Sequence, residues 1–149
     1  MIGRTNAVIQ IGSSSSRVDV VTGYQGAGAS IMMNSNITSW TTTYSGSSAT
    51  PFSRAMFADC RSLEYVDMGE SMSSIGELIF NSNNINFTSL IIRRSNCSLG
   101  GTNIISAVPN NINVYVPDNS IESYKVATNW STLFNNGKVV FLPLSEWQV

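Results

Sequence analysis

One spacing governs what this chain can become. In Leu63-Glu-Tyr-Val66-Asp-Met68 the apolar residues fall at the first, fourth and sixth positions, and Phe87-Thr-Ser-Leu90-Ile-Ile92 repeats the pattern 24 residues on. A further 24 residues along, Val114-Tyr-Val116 fills the last two apolar slots, with Asn111 standing in the first. Upstream by 26 residues, Ile37-Thr-Ser-Trp40-Thr-Thr42 follows the pattern loosely. Such a period predicts a repeat architecture. One unit cannot bury its apolar edge alone, whereas stacked units bury it continuously and form a short parallel sheet on one side of a coil. The connecting segments agree: Arg54-x-x-Phe57 and Ser74-Ile75-Gly76-x-x-x-Phe80 occupy matching places, so Phe57 and Phe80 are expected to stack as a spine.

The ends of the chain read differently. Within residues 1–50, Ile9-Gln-Ile11 and Val18-Asp-Val20 alternate like strands, joined by Ser13 to Ser16, and Gly23 to Gly28 is small and flexible in composition. Two compatible readings follow: an N-terminal cap or β-hairpin region, or an arm that attaches to a larger assembly or drives oligomerisation. At the other end, Pro117-Asp118-Asn119-Ser120 ends a strand, and Asn119 with Glu122 three residues later fits a capping box. Ile121 to Ala127 then predicts two helical turns, Trp130 an apolar lid, Asn135-Asn136-Gly137 a turn, and Val139 to Leu142 a last strand. A stack of units needs such a cap, because its final coil otherwise exposes core and an open sheet edge.

Ser74-Ile75-Gly76-x-x-x-Phe80, together with Val114-Tyr-Val-Pro-Asp-Asn-Ser-Ile-Glu-Ser-Tyr-Lys-Val-Ala-Thr-Asn-Trp130 and the close Leu142-Pro-Leu-Ser-Glu-Trp147, resembles the BspA-type leucine-rich repeat family. The resemblance runs from about Phe52 to Trp147. It departs at Asn83-Asn84-Ile85-Asn86, where a Cys-containing turn is usual and the alignment inserts one residue, which leaves the register of that turn open. The opening Ile2-Gly3-Arg4-Thr5-Asn6 is similar to the start of several phage tail-associated proteins. The resemblance implies a mainly β fold: a short leucine-rich-repeat-like β-solenoid over residues 51–149, closed by a C-terminal helix and strand and preceded by the β-rich region 1–50. Family members are bacterial surface adhesins and phage structural proteins. The expectation is therefore a virion structural protein acting in assembly and in host-surface binding, with a bacterial cell-surface adhesin as the alternative.

Composition narrows the classes. Charged residues are 11% of the chain, against about 25% in an ordinary soluble domain. No charge falls between Asp19 and Arg54 or between Arg94 and Asp118, and Ser, Asn and Thr supply 24, 16 and 11 residues. Net charge is −1, with eight Lys plus Arg scattered along the chain, so no phosphate-tracking stripe and no nucleic-acid partner is expected. Apolar runs are a few residues long, so no membrane insertion is expected, and the first six residues lack the apolar core of a signal peptide. Such a neutral, polar surface suits fibres and adhesins whose neighbours cover much of it; other virion proteins, further copies of this chain and a host glycan or protein are the expected partners. Cys60 and Cys97, the only cysteines, make neither a disulfide framework nor a zinc site, and buried thiols are the expected state.

Chemistry is absent where enzymes keep it. The chain has no histidine, which removes Ser-His and Cys-His nucleophile pairs and most catalytic zinc sites. Gly26-Ala27-Gly28 is too short for a dinucleotide fingerprint. Asp67 with Glu70, or Asp59 with Glu64, could in principle form the carboxylate pair of a carbohydrate-active enzyme, the alternative from another class, though nothing marks them out. Four Asn-x-Ser/Thr sequons, at Asn36, Asn86, Asn96 and Asn129, are chance products of this composition. No catalytic residue, metal ligand or cofactor is expected. The expected binding face is the outer side of the sheet, where alternation turns Ser39, Thr41, Tyr65, Asp67, Ser89, Ile91, Arg93, Asn113 and Tyr115 outward, with Tyr65 and Tyr115 as its rigid contact groups.

Overall fold

Backbone pairing follows the two-dozen-residue period. In this computed structural model the described residues are 6–10, 18–19, 39–42, 57, 59–70, 74–75 and 80–148. They form nine strands: β1 (Asn6–Gln10), β2 (Val18–Asp19), β3 (Ser39–Thr42), β4 (Tyr65–Asp67), β5 (Ser74–Ile75), β6 (Ser89–Ile91), β7 (Ser98–Leu99), β8 (Ile112–Val116) and β9 (Val139–Pro143). Seven make one sheet in the order β2-β1-β3-β4-β6-β8-β9, and β5 pairs with β7 in a second. Only β1 and β2 run antiparallel; every other pair is parallel. With α1 (Asn103–Ser106), α2 (Ile121–Val126) and α3 (Trp130–Asn135), the described residues are β-rich but mixed, with two open sheets, three short helices and no closed barrel.

The registers show why these segments pair. Trp40, Val66, Leu90, Val114 and Phe141 are successive partners across β3, β4, β6, β8 and β9. The expected alignment of the four apolar segments is therefore the observed one. Asn83-Asn84-Ile85-Asn86 causes no slip, since Val66 still faces Leu90. The third unit does differ from expectation: its first apolar slot is filled by Ile112, buried at 1% exposure, while Asn111 is exposed. Ile112 faces Val139, so the slot shifts by one residue where the last strand needs an apolar partner.

Leu63, Val66, Met68, Phe87, Leu90, Ile92, Val114 and Val116 share one buried cluster. Each such side chain contributes about 1.5–3 kcal/mol by leaving water. Phe57 and Phe80 stack as expected, ring centroids 5.6 Å apart, and Phe87 continues the stack 4.5 Å from Phe80. The turn beside this spine is stitched by amides rather than apolar contact. Asn84, wholly buried, donates through Nδ2 to the carbonyls of Phe57 and Cys60 and accepts the Asn81 N–H at 2.7 Å. Asn86 donates to the Arg61 carbonyl, and Asn110 to those of Ile85 and Phe87. Backbone carbonyls at each coil corner thereby find donors that strand pairing does not reach.

At the far end Trp130, Tyr124 and Phe141 form a ring cluster with centroids 5.6–6.0 Å apart, so Trp130 is the lid that the sequence suggests. The expected capping box is not formed. Asp118–Ser120 is a tight 3-10 turn that places Asn119 ahead of the N-cap, and Ser120, which takes that position, makes no side-chain cap bond. At the N-terminal side, β1 and β2 pair antiparallel, Ile9 with Asp19, while the residues that would join them as a hairpin, 11–17, lie outside the described residues. β1 also pairs with β3, and β3 with β4, so strands from both sides of position 50 share one sheet. Ile11, Val20, Gly23 to Gly28, Ile37, Arg54 and Gly76 lie outside the described residues. Cys60 and Cys97 are both buried thiols, not a disulfide.

Candidate functional site

The outer face of the sheet carries the residues that alternation assigns to it, in two rows. Ser39, Tyr65, Ser89 and Asn113 are partners across one row, and Thr41, Asp67, Ile91 and Tyr115 across the next. The face is not open, however, and this corrects the sequence expectation. Ile91 has 0% exposure, Asp67 5% and Ser39 1%; Tyr65, Ser89 and Tyr115 are half-buried, and only Asn113 and Arg93 are exposed. The side chain of Thr41 lies outside what is described.

The cover comes from the C-terminus. Trp147 sits 5.0 Å from the Tyr65 ring and 5.1 Å from the Tyr115 ring. Tyr65 is on β4 and Tyr115 on β8, the two neighbours of β6, so the indole lies across β6 and over its outer residues. Asp118 fixes the approach: its carboxylate accepts the Ser145 hydroxyl at 2.6 Å and the Ser145 N–H at 3.0 Å. Those hydrogen bonds hold the Asp118 carboxyl below its ordinary value. The Trp147 indole N–H is buried and has no acceptor among the described residues.

Charge on this face is likewise consumed internally. Arg93 donates from Nε and Nη2 to both oxygens of Asp67, the shortest contact being 2.7 Å. Asp67 also accepts the Gly69 N–H. A forked, charge-assisted pair of this kind is rigid, and the hydrogen bonds to Asp67 raise the Arg93 pKa further. Asp59, from the other candidate carboxylate pair, accepts from the amides of Asn81 and Asn83. These bonds lower its pKa, the wrong direction for a glycosidase general acid. Burial pushes the Cys60 and Cys97 thiols up to about 12, which keeps them neutral and poor nucleophiles. Among the described residues no group of His, Cys, Asp or Glu is placed to hold a metal ion, and no helix is long and apolar enough to cross a membrane.

A cleft of about 490 Å³ lies between residues 95–99 and residues 123–130. Of its residues Ser98 and Leu99 lie one 24-residue step from Ser74 and Ile75; the Ser, Asn and Thr residues around them are too common here for a local cluster to stand out. Comparison with protein-family models, curated proteins and solved structures yields no match.

Proposed function

We propose that this chain is a non-catalytic structural component of a bacteriophage virion, a tail fibre, head fibre or capsid decoration protein, built as a short leucine-rich-repeat-like β-solenoid. The observation that carries the reading is the common register of Val66, Leu90 and Val114 at successive 24-residue steps, the spacing at which the sequence resembles a repeat family with phage members. A surface with 11% charged residues supports a protein that works among neighbours rather than alone. The assigned partners are other virion proteins, further copies of the chain, and a host-surface glycan or protein.

Antibody labelling of intact particles, read by electron microscopy, tests the reading. Labelled tail tips assign host contact, and labelled capsids assign decoration. Particles that carry no label, with label confined to bacterial envelopes, would transfer the chain to the adhesin class.

A further inference from the structure

We propose that the outer face of the sheet is an interface between two copies of this chain, in which residues 144–147 of each copy leave their own face and seat on that of the other. The proposal deepens the reading above, where further copies of the chain are partners, and rests on it for that setting alone.

The segment is lightly held. Leu144–Glu146 is a single 3-10 turn beyond β9 and joins no strand. Its hydrogen bonds to the rest of the molecule run to one exposed carboxylate, Asp118, which accepts the Ser145 hydroxyl and N–H. At solvent such bonds add little, because water replaces either partner. The larger hold is the half-buried Trp147 against Tyr65 and Tyr115. Its indole N–H is buried without an acceptor among the described residues, which weakens that seat. β9 itself is anchored differently, by five residue pairs with β8 and by Phe141 in the Tyr124–Trp130 cluster. Release therefore stops at β9, as a local opening well short of global unfolding.

Geometry directs the freed segment outward. Pro143 ends β9 with φ −65° and ψ 135°; its ring fixes that φ and keeps Leu142 extended. The four residues beyond it span about 13 Å, more than the roughly 10 Å that separates two packed sheets. They reach a second copy whose outer face opposes the first about a two-fold axis, where one patch serves both partners and the two exchanges are equivalent. Every copy carries both the segment and the seat that fits it, so exchange changes only which chain supplies each contact. The face also has area left to bury in that arrangement. Tyr65 and Tyr115 are half-buried, and Val140, opposite Asn113 in the register, is an apolar side chain with 46% exposure. Asp67 and Arg93 already neutralise one another, so two such faces meet without like-charge repulsion.

Cysteine trapping in the full chain tests this, with Asp118→Cys in one batch and Ser145→Cys in the other. The batches are mixed at about 1 mM, near the effective concentration of a tethered segment, and oxidised with glutathione disulfide. The native cysteines are buried and Asp118, Glu122 and Ser145 are exposed. The expected product is a covalent dimer joined between positions 118 and 145, at least about tenfold more abundant than that from Glu122→Cys mixed with Ser145→Cys. Adding Trp147→Ala to the Ser145→Cys chain should remove the excess. The unaltered chain gives a second readout that no substitution can compromise. One batch labelled in Trp and another labelled in Tyr, mixed and incubated, should show interchain NOEs from the Trp147 indole to the Tyr65 and Tyr115 rings. A 118–145 dimer no more abundant than the control, an excess that survives Trp147→Ala, or absence of those NOEs would each overturn the proposal. Particle labelling does not depend on exchange, so the two readings fail separately.

Discussion

The two faces of the central sheet come from the same strands by the same alternation, yet they are covered by different means. On the inner face Val66, Leu90 and Val114 are covered by one another's units, so the repeat supplies its own lid. On the outer face the rings of Tyr65 and Tyr115 meet Trp147, a single side chain from beyond the last strand, on either side of the buried Ile91. A repeat therefore determines what its own copies bury, while a terminal segment determines whether the opposite face stays open.

The largest expected effect lies on the inner face. Leu90→Ala should cost about 2–5 kcal/mol in urea denaturation, as deletion of a fully buried side chain with poor relaxation does. Ile91→Ala, the next residue and on the other face, should cost at least about 2 kcal/mol if the lid is closed; a loss below about 0.5 kcal/mol would mean an open face and break the comparison.

Asn84→Ala leaves the Phe57 and Cys60 carbonyls without its amide and should cost about 1–3 kcal/mol, measured the same way. A neutral result would show that water replaces the amide. Trp147→Ala should cost less, about 1–2 kcal/mol, because the indole is only half-buried. Its second readout sharpens the contrast: tyrosine solvent accessibility should rise at Tyr65 and Tyr115, while amide exchange at Leu90 and Val114 stays slow.

The smallest effect is set by pH. The folded pKa of Asp118 is lowered by Ser145, so its contribution is present above the unfolded value near 4 and is lost as pH falls through the folded value. Acidification below pH about 4 should shift Trp147 fluorescence toward that of exposed indole before the core unfolds. Asp118→Asn should show no such step; a step of equal size in that variant would detach the lid from this carboxylate.

Much of the inner face was legible because burial by like units leaves a periodic trace. Leu63 and Phe87, Val66 and Leu90, and the Phe57–Phe80 stack all lie where the spacing puts them. Ile112 escaped because the pattern was carried rigidly to Asn111, whereas pairing with Val139 favours the neighbouring residue. Helix α1 is a single turn with no periodicity to detect, and α3 opens at Asn129 with a positive φ of 68°, in a stretch of weak helix formers. The capping-box spacing was present but the chain tightened into a 3-10 turn one residue early. The outer face was legible in its membership and not in its exposure, since alternation says which way Ile91 points and nothing of what lies on it. The cleft left no trace, because its two walls are joined only by contacts thirty residues apart in sequence.

Methyl–methyl NOE spectroscopy on Val66, Leu90 and Val114 tests the stacked-coil claim most directly. Cross-peaks linking Val66 to Leu90 and Leu90 to Val114, in that order, are the predicted result for side chains on adjacent parallel strands. If both are missing while the chain is folded, these residues do not share one dry interior, and the register from which the fold and the proposed role are argued is wrong.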